Sequence, residues 1–409
     1  MIIPWPGTGV DLRVTEWDAF GYYIYAPSII IYNDPTQLEW LTKIDDKYHV
    51  TGGHLYQADR AQNGNYIFKY SGGIAIMQLP FFILAHFYAL IGDYSADGFS
   101  KPYQWAIAFS GLIYSILGLF LLRLVLLRWY NEGVTMITLA LIVLATNFIQ
   151  YTSIKGAMSH SYIFFLYACV LYATMKWHEA PRLKWAAMVG YLIGLAIICR
   201  PTEIIMLFIP LLWGMSDKSA STAKWTMVRK YRNHVMALLI FCFLGILPQL
   251  IYWKFSYGSF IYPMGSKWSF LLPYFEVLFG GNKGWFIYTP ITLLFIVGLY
   301  FVKSFPFRKS VIAFSILNIW IVCAWSDPSF GASYSARALV QGYAVMALAM
   351  AAVVNVILQQ KWRWALYVLA GYFILVNLFQ LWQYDQGMIR TDQNTFRQYW
   401  HVYLNPNPS

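Results

Sequence analysis

Charged residues are scarce in this sequence. They make up 11% of its 409 residues, whereas an ordinary soluble domain has about 25%. Hydrophobic residues account for 59%, so the composition argues against a water-soluble globule. It also argues against intrinsic disorder, because 19% of the residues are aromatic and would be left facing water. The sequence therefore predicts a protein that folds in a lipid bilayer.

Cysteines are few, and their spacing excludes two kinds of site. The four cysteines lie in apolar stretches without a Cys-x-x-Cys pair, which offers neither a zinc site nor a disulfide framework. We expect no cleavable signal peptide, because the N-terminus lacks a charged region followed by an apolar core and an Ala-x-Ala site.

Long apolar runs are abundant. A spanning helix needs about 20 mostly apolar residues, and broken or re-entrant pieces are shorter. Ten segments meet this description: 105–122, 134–150, 160–176, 185–199, 203–214, 235–252, 287–302, 311–325, 338–358 and 364–383. The fourth and fifth segments are separated by Arg200-Pro201-Thr202-Glu203, where proline and two opposite charges favour two helices that meet at one membrane face.

Lysine and arginine lie on alternate connections between these segments. One set of connections holds 15 Lys+Arg against 3 Asp+Glu, and the rest of the chain holds 14 against 15. The positive-inside tendency then predicts that the basic set faces the cytoplasm. This set comprises 123–133, 176–184, 215–234, 303–310 and 359–363. The net charge of +11 therefore reflects topology and not nucleic-acid binding.

This topology divides the chain into three parts. We predict an exoplasmic catalytic loop at 1–104, a transmembrane helical bundle at 105–383 and an exoplasmic C-terminal tail at 384–409. The loop contains ten of the 18 acidic residues. The chemistry is therefore expected on the exoplasmic face.

Residues 73–92 form an apolar stretch that breaks the alternation of sides. The stretch is long enough to span, but Pro80, His86 and the amphipathic run 19–32 favour helices that lie at the outer interface. The alternative is a span, which would place 1–72 in the cytoplasm. With interfacial helices, nothing precedes the loop to drive its export, so we expect an upstream helix that this chain lacks.

Two carboxylates head the outer loop in Glu16-Trp17-Asp18, just before an aromatic run that includes Tyr22. Carboxylates two residues apart can share a divalent cation, or one can accept a proton from an attacking hydroxyl while the other orients it. The alternative is structural, because Asp18 ahead of a short helix is also an ordinary cap.

Cationic side chains occur at helix ends on the same predicted face. Arg200, Lys283 and Arg337 each lie at such an end, where fixed positive charge can stabilise an anion. The alternative is that they snorkel or anchor the helix ends. His160, at another helix mouth on this face, either donates to a substrate or bonds a neighbouring loop.

Short motifs in a particular order carry a family resemblance. They are Glu16-Trp17-Asp18, residues 65–73 with Lys69, Pro80-Phe81-Phe82, Arg200-Pro201-Thr202 and residues 284–290. In this order the chain resembles the GT-C superfamily of membrane glycosyltransferases, which take a sugar from a polyprenyl-phosphate carrier, and among them the bacterial protein mannosyltransferase and aminoarabinose transferase group.

The resemblance implies a fold and a set of roles. The fold would be an all-α polytopic bundle with a large first exoplasmic loop that carries interfacial helices and follows a spanning helix. Asp18 would be the catalytic aspartate and Glu16 its companion, and the two would hold a divalent cation such as Mg or Mn if one is required. Residues 151–160 contain no acid, so the second acidic motif of some relatives is missing.

The sequence thus predicts transfer of a sugar from a polyprenyl-phosphate donor to a lipid, protein or glycan acceptor. Asp18 would accept the acceptor proton in an inverting displacement, and Arg200, Lys283 and Arg337 would stabilise the leaving phosphate. His160, Tyr22 and Lys69 complete the predicted substrate contacts. The expected location is the bacterial inner membrane, with the active site on the periplasmic face.

Two other function classes compete with this prediction. A transporter or flippase of lipid-linked saccharides would also need outer cations and a broken helix. It should show internal repeats and polar groups deep in several spans, and the two halves of this chain are not similar. A non-catalytic scaffold leaves the acidic, aromatic-rich loop unexplained.

Overall fold

The computed structural model describes residues 13–263, 265, 268–390 and 394–407. Most of these residues are helical, as the sequence predicts. In chain order the α-helices are α1 (Trp17–Tyr23), α2 (Tyr25–Ile30), α3 (Leu41–Tyr48), α4 (Gly73–Ile91), α5 (Lys101–Leu126), α6 (Glu132–Leu144), α7 (Ser159–Glu179), α8 (Leu183–Cys199), α9 (Phe208–Leu212), α10 (Lys218–Lys230), α11 (Arg232–Ser256), α12 (Glu276–Phe279), α13 (Trp285–Tyr288), α14 (Leu293–Phe301), α15 (Arg308–Cys323), α16 (Tyr343–Leu358), α17 (Trp364–Asp385) and α18 (Phe396–Val402).

Sheet structure in the described residues is confined to one hairpin. Strands β1 (Ala58–Arg60) and β2 (Tyr66–Phe68) pair antiparallel, with Ala58 opposite Phe68. Gly64 lies between them with a φ of +83°, in the left-handed region that glycine enters without a steric penalty. The hairpin leads directly toward Tyr70, which reaches the candidate site.

The chain is a multi-pass membrane protein. Five of the described helices are long and apolar enough to cross a bilayer: Gly73–Ile91, Lys101–Leu126, Arg232–Ser256, Arg337–Leu358 and Trp364–Asp385. Shorter apolar helices are Glu132–Leu144, Leu183–Cys199, Pro201–Leu212 and Pro290–Phe301. Every segment predicted to span overlaps a helix of the structure, although several are short or broken.

The predicted segment 134–150 is not a single helix. α6 ends at Leu144, and a π-helical turn follows at Gln150–Ile154. The Thr146 hydroxyl donates to the Ile142 carbonyl and accepts from the Phe148 amide. Such local side-chain bonds compete with the helical ladder, and hydropathy alone does not reveal them.

The unit Arg337–Leu358 forms the centre of the bundle. It opens with a 3-10 turn at Arg337–Gly342 and continues as α16, whose residues from Tyr343 to Val354 are buried. Its many alanines let other helices come close. A Cβ atom built on Gly298 of α14 would lie only 2.0 Å from the Ala349 carbonyl oxygen, so these two backbones touch.

Helices α8 and α11 also pack backbone to backbone. Gly190 and Gly194 are four residues apart on one face of α8, the small-xxx-small spacing of membrane helix pairs. A Cβ atom built on them would lie 2.0 Å from the Leu238 carbonyl oxygen and 2.1 Å from that of Cys242. This contact holds the end of α8, and therefore Arg200, in place.

Helix α4 lies beside the N-terminal segment. Tyr25 donates to the Tyr70 carbonyl just before α4, and Tyr23 donates to the Gly98 carbonyl just after it. Because neighbouring residues of α1 and α2 hold both flanks of α4, the helix runs along this segment. The outer side chains of α4, among them Leu84 at 69% exposure, are apolar. By length and hydropathy α4 is among the five helices that could cross a bilayer, and its interfacial placement stays a prediction.

We predict that Gly194→Ile destabilises the bundle. The new side chain would meet the Cys242 carbonyl and force α8 from α11, at a cost of about 1–3 kcal/mol. The thermal unfolding temperature of the purified protein in detergent should fall. Gly371→Ile is the matched control, because nothing lies within 4 Å of a Cβ atom on Gly371. Equal unfolding temperatures for the two variants would contradict this packing.

Candidate active site

The Asp18 carboxylate points into a cluster of polar side chains. Asp18 is the second residue of α1, and the structure shows no side-chain cap at this helix end. Its Oδ1 accepts from the Tyr70 hydroxyl at 2.7 Å and from the Tyr56 hydroxyl at 3.0 Å. Asp18 is therefore not a helix cap. Its carboxylate accepts hydrogen bonds from side chains that are distant in the sequence.

Arg337 completes the surroundings of this carboxylate. Its Nη2 donates to Asp18 Oδ2 at 2.9 Å, and the side chains are 17% and 26% exposed. Burial raises the pKa of Asp18, but the Arg337 charge and the hydrogen bonds from Tyr70 and Tyr56 outweigh it and hold this pKa below its usual value. Asp18 is therefore a carboxylate at neutral pH, available to accept a proton.

The backbone is unusual next to both members of this pair. Trp17, directly before Asp18, has a φ of 53°, and so does Ser335, two residues before Arg337. Left-handed conformations of such residues cost about 1–3 kcal/mol and persist where surrounding contacts impose them, often at functional sites.

Arg200 lies near the pair, behind two tyrosine rings. It precedes Pro201 in an extended conformation, between α8 and the 3-10 turn at Pro201–Leu207. Its Nη2 donates to the Tyr22 hydroxyl at 3.4 Å, and the Tyr22 ring meets Tyr70 edge-on with 4.8 Å between centroids. Asp18 and Arg200 also interact electrostatically. The helix break at Arg200 and the loop that carries Asp18 therefore lie close together.

Lys283 holds the loop that leads to Arg337. It is buried, and its ammonium donates to the Ser329 carbonyl at 2.9 Å and to that of Gly331. Its positive charge also acts on Lys155. Lys283 thus has a structural role in the described contacts. It also belongs to the charged cluster, which comprises Asp18, Lys155, Arg200, Lys283 and Arg337.

Lys155 belongs to the cluster although the sequence analysis did not select it. Its ammonium lies 5.5 Å from the centre of the Tyr384 ring. Burial lowers the pKa of Lys155, and the charge of Arg337 lowers it further. Asp18 and Lys283 also act on it electrostatically. Its position in the connection 151–159, on the predicted exoplasmic face, is the sequence feature that could have identified Lys155 as a site residue.

His160 lies beneath this cluster and is completely buried. Its Nδ1 is 2.8 Å from Gln341 Oε1, and Gln341 Nε2 donates to Glu203 Oε1 at 3.0 Å. The Tyr167 hydroxyl donates to the other Glu203 oxygen. The structure thus makes His160 the end of a buried hydrogen-bonded chain and not a residue at an open helix mouth.

Two predicted site residues lie apart from Asp18. Lys69 pairs with Asp59 of the hairpin at 2.8 Å, and both side chains are largely exposed. Glu16 lies 3.8 Å from Arg13 and shares no described contact with Asp18. Burial raises the pKa of Glu16, against the charge of Arg13.

The donor set does not fit a tightly held divalent cation. Among the described residues there is no group of three or more His, Cys, Asp or Glu that could bind a metal ion. Asp18 is paired with Arg337, and the remaining charges around it are mostly positive. Among the described residues, Glu16 and Asp18 therefore do not form a preformed cage of protein ligands for a divalent cation.

An apolar groove of about 320 Å³ lies beside the cluster. It runs between α2, α4, α8 and α11 and has exposed Ile29 and Ile30 at its edge. Its lining includes Tyr25, Gly72 and Ile198, which lie within three residues of Tyr22, Tyr70 and Arg200 in the sequence. The groove therefore lies next to the segments that carry Tyr22, Tyr70 and Arg200.

Comparison with solved structures identifies the architecture. The archaeal oligosaccharyltransferase AglB from Archaeoglobus fulgidus, in complex with an inhibitory peptide and a dolichol-phosphate, has a TM-score of 0.52 at 12% identity, over 97% of this chain and 53% of that chain. The fold of this chain is therefore similar to that of this oligosaccharyltransferase. The predicted all-α polytopic bundle is thus confirmed.

Other matches are weaker. ArnT from Cupriavidus metallidurans gives a TM-score of 0.49 in its apo state, at 13% identity over 83% of this chain and 58% of that chain. Its complex with undecaprenyl phosphate gives 0.46, at 12% identity over 71% and 52%. The chain spans about half the length of these GT-C proteins. No protein-family model and no curated protein matches it.

Proposed function

We propose that this protein is a GT-C glycosyltransferase that moves a sugar from a polyprenyl-phosphate carrier to an acceptor. One observation carries the proposal: an ionised carboxylate, Asp18, is fixed inside a cationic cluster that adjoins an apolar groove. These are the elements that a base, a phosphate and a lipid chain require. The reaction would take place on the periplasmic face of a bacterial inner membrane, as the charge pattern of the connections suggests.

The charges of the cluster suit a lipid phosphate. The four cations are Arg200, Arg337, Lys155 and Lys283, and the three nearby carboxylates are Asp18, Asp385 and Glu203, which still leaves an excess of positive charge. Departure of the carrier phosphate adds negative charge as the sugar leaves, and fixed cations stabilise that charge in the transition state. The guanidinium groups of Arg200 and Arg337 also match the geometry of phosphate oxygens.

Asp18 would act as the general base. The acceptor hydroxyl gives its proton to the carboxylate while its oxygen bonds to the anomeric carbon, and the bond from that carbon to phosphate breaks with its electron pair on the phosphate. Attack opposite to the leaving group inverts the anomeric configuration. Tyr56 and Tyr70 are positioning residues in this scheme, because they fix Asp18 Oδ1.

The groove supports a lipid substrate and not a soluble nucleotide sugar. It is almost entirely apolar and reaches the lipid-facing side chains Ile29 and Ile30. A prenyl chain in it would place its phosphate toward Arg200, since Ile198 of the groove is two residues away. The solved AglB structure contains a ligand of this class, dolichol-phosphate.

The other predicted contacts contribute unequally to this proposal. Tyr22 stands between Arg200 and Tyr70 and is suited to contact the sugar or its phosphate. His160 supports the site from below through Gln341. Lys69 is held by Asp59 on the hairpin, away from the cluster, so the proposal assigns it no contact with the donor.

We predict that Asp18→Asn lowers sugar transfer by roughly 10²–10⁴-fold, the usual contribution of a general base. The assay incubates purified protein with a panel of polyprenyl-phosphate sugars and acceptors and measures release of carrier phosphate. Asp59→Asn is the matched control, since Asp59 also pairs with a cation but on the exposed hairpin. Unchanged turnover of Asp18→Asn would remove Asp18 from the catalytic role. Carrier movement across vesicles without any transfer would favour a flippase.

We predict that Tyr70→Phe shifts the pH dependence of the reaction. The Tyr70 hydrogen bond lowers the pKa of Asp18, so its loss raises that pKa. Because the carboxylate is the active form, the acidic limb of the pH profile of kcat/KM should move to higher pH. Tyr66→Phe, which changes a hairpin tyrosine over Arg60, should leave this limb in place. An unmoved limb in Tyr70→Phe would show that Tyr70 does not tune the base.

A further inference from the structure

The two oxygens of Asp18 are held in different ways. Oδ1 accepts from both Tyr56 and Tyr70. Oδ2 accepts from Arg337, and from no other side chain among the described residues. Removal of one partner would therefore free one oxygen while the tyrosines keep the carboxylate in its place and orientation.

This arrangement creates a conflict between two roles of the same guanidinium. The base must take the acceptor proton, and in this structure Arg337 donates to Oδ2 and lowers the pKa of Asp18, which weakens the base. Arg337 is also one of the cations that suit the donor phosphate, because guanidinium binds phosphate and carboxylate in the same manner. A phosphate that binds this guanidinium therefore competes with Asp18 for its N–H groups.

We propose that the Asp18–Arg337 ion pair is a latch that the phosphate of the lipid-linked donor opens. The donor phosphate takes Arg337 and thereby releases Asp18 Oδ2, so the donor binds before the acceptor hydroxyl can be deprotonated. This inference rests on the proposed function, since it assumes a phosphate-bearing donor.

The surroundings favour the exchange. Lys155, Lys283 and Arg200 add positive charge near Arg337, so an incoming anion is attracted by more than one cation. Within the described part of the chain, Asp18 itself forms an ion pair with Arg337 alone. The pair keeps some contact with solvent, at 17% and 26% exposure, so a phosphate can reach it without unfolding the loop. Ion pairs of such partial exposure are weak enough to be exchanged.

The latch changes the order of events and not the chemistry. Without the donor, Arg337 donates to Oδ2 and lowers the pKa of Asp18, so the carboxylate is a weaker base. With the donor bound, the acceptor proton moves to Oδ2, the acceptor oxygen bonds to the anomeric carbon, and the electron pair of the broken bond stays on the phosphate beside Arg337. When the product carrier leaves, the proton passes to solvent and the ion pair re-forms.

The test measures the affinity of undecaprenyl phosphate for the protein in lipid nanodiscs. Asp18 and the phosphate compete for Arg337 in the wild type, so Asp18→Asn should bind the probe about fivefold more tightly. Asp59→Asn removes the carboxylate from another ion pair of the same segment and should leave the affinity unchanged. Arg337→Gln should weaken binding in both backgrounds.

The possible results distinguish the proposed latch from the proposed function on which it rests. Equal or weaker binding by Asp18→Asn, in a protein whose wild type binds the probe, would overturn the latch and leave the phosphate site standing. Failure of the wild type and of Asp59→Asn to bind would overturn the proposed function itself. Should Asp18→Asn not fold, Asp18→Ser also removes the charge, and the same comparison decides the matter.

Discussion

An ion pair joins two distant parts of this chain at a single point. Asp18 and Arg337 are 319 residues apart in the sequence and 2.9 Å apart in space. Every other feature of the site is arranged around this contact: two tyrosines hold the carboxylate, Lys283 holds the loop before the arginine, and further cations surround both. Partly buried opposite charges such as these are stabilised when they pair with each other or with a ligand.

The bilayer explains why irregular backbone gathers at this same place. Unpaired backbone groups are tolerated at membrane depth only where protein or a polar cavity satisfies them. The π-helical turn at Gln150–Ile154, the break at Arg200-Pro201 and the 3-10 turn at Arg337–Gly342 all contribute residues to the site or its support. Elsewhere, glycine contacts such as those between α8 and α11 hold the helices rigidly. The fold thus combines closely packed helices with one charged site that is built on irregular backbone.

Sequence reasoning recovers what depends on local composition. Hydropathy locates the spans, and charge at helix ends identifies Arg200 and Arg337, because the cost of charge in hydrocarbon is a local property. It does not find Tyr56 and Tyr70, whose roles depend on contacts of 38 and 52 residues' separation. It overlooked Lys155, and it included Lys69 and Glu16, whose own neighbours Asp59 and Arg13 are their partners. The contacts that a loop side chain makes are decided by tertiary packing, which the local sequence does not reveal.

The central claim is that one cationic site receives a lipid phosphate beside Asp18. A cryo-EM structure of the protein with bound undecaprenyl phosphate tests it most directly. The account predicts the phosphate within hydrogen-bond distance of Arg337 and the start of the prenyl chain in the groove next to Ile198 and Leu79. A phosphate bound away from Arg337, with the Asp18 ion pair intact and the groove filled by other lipid, would contradict it.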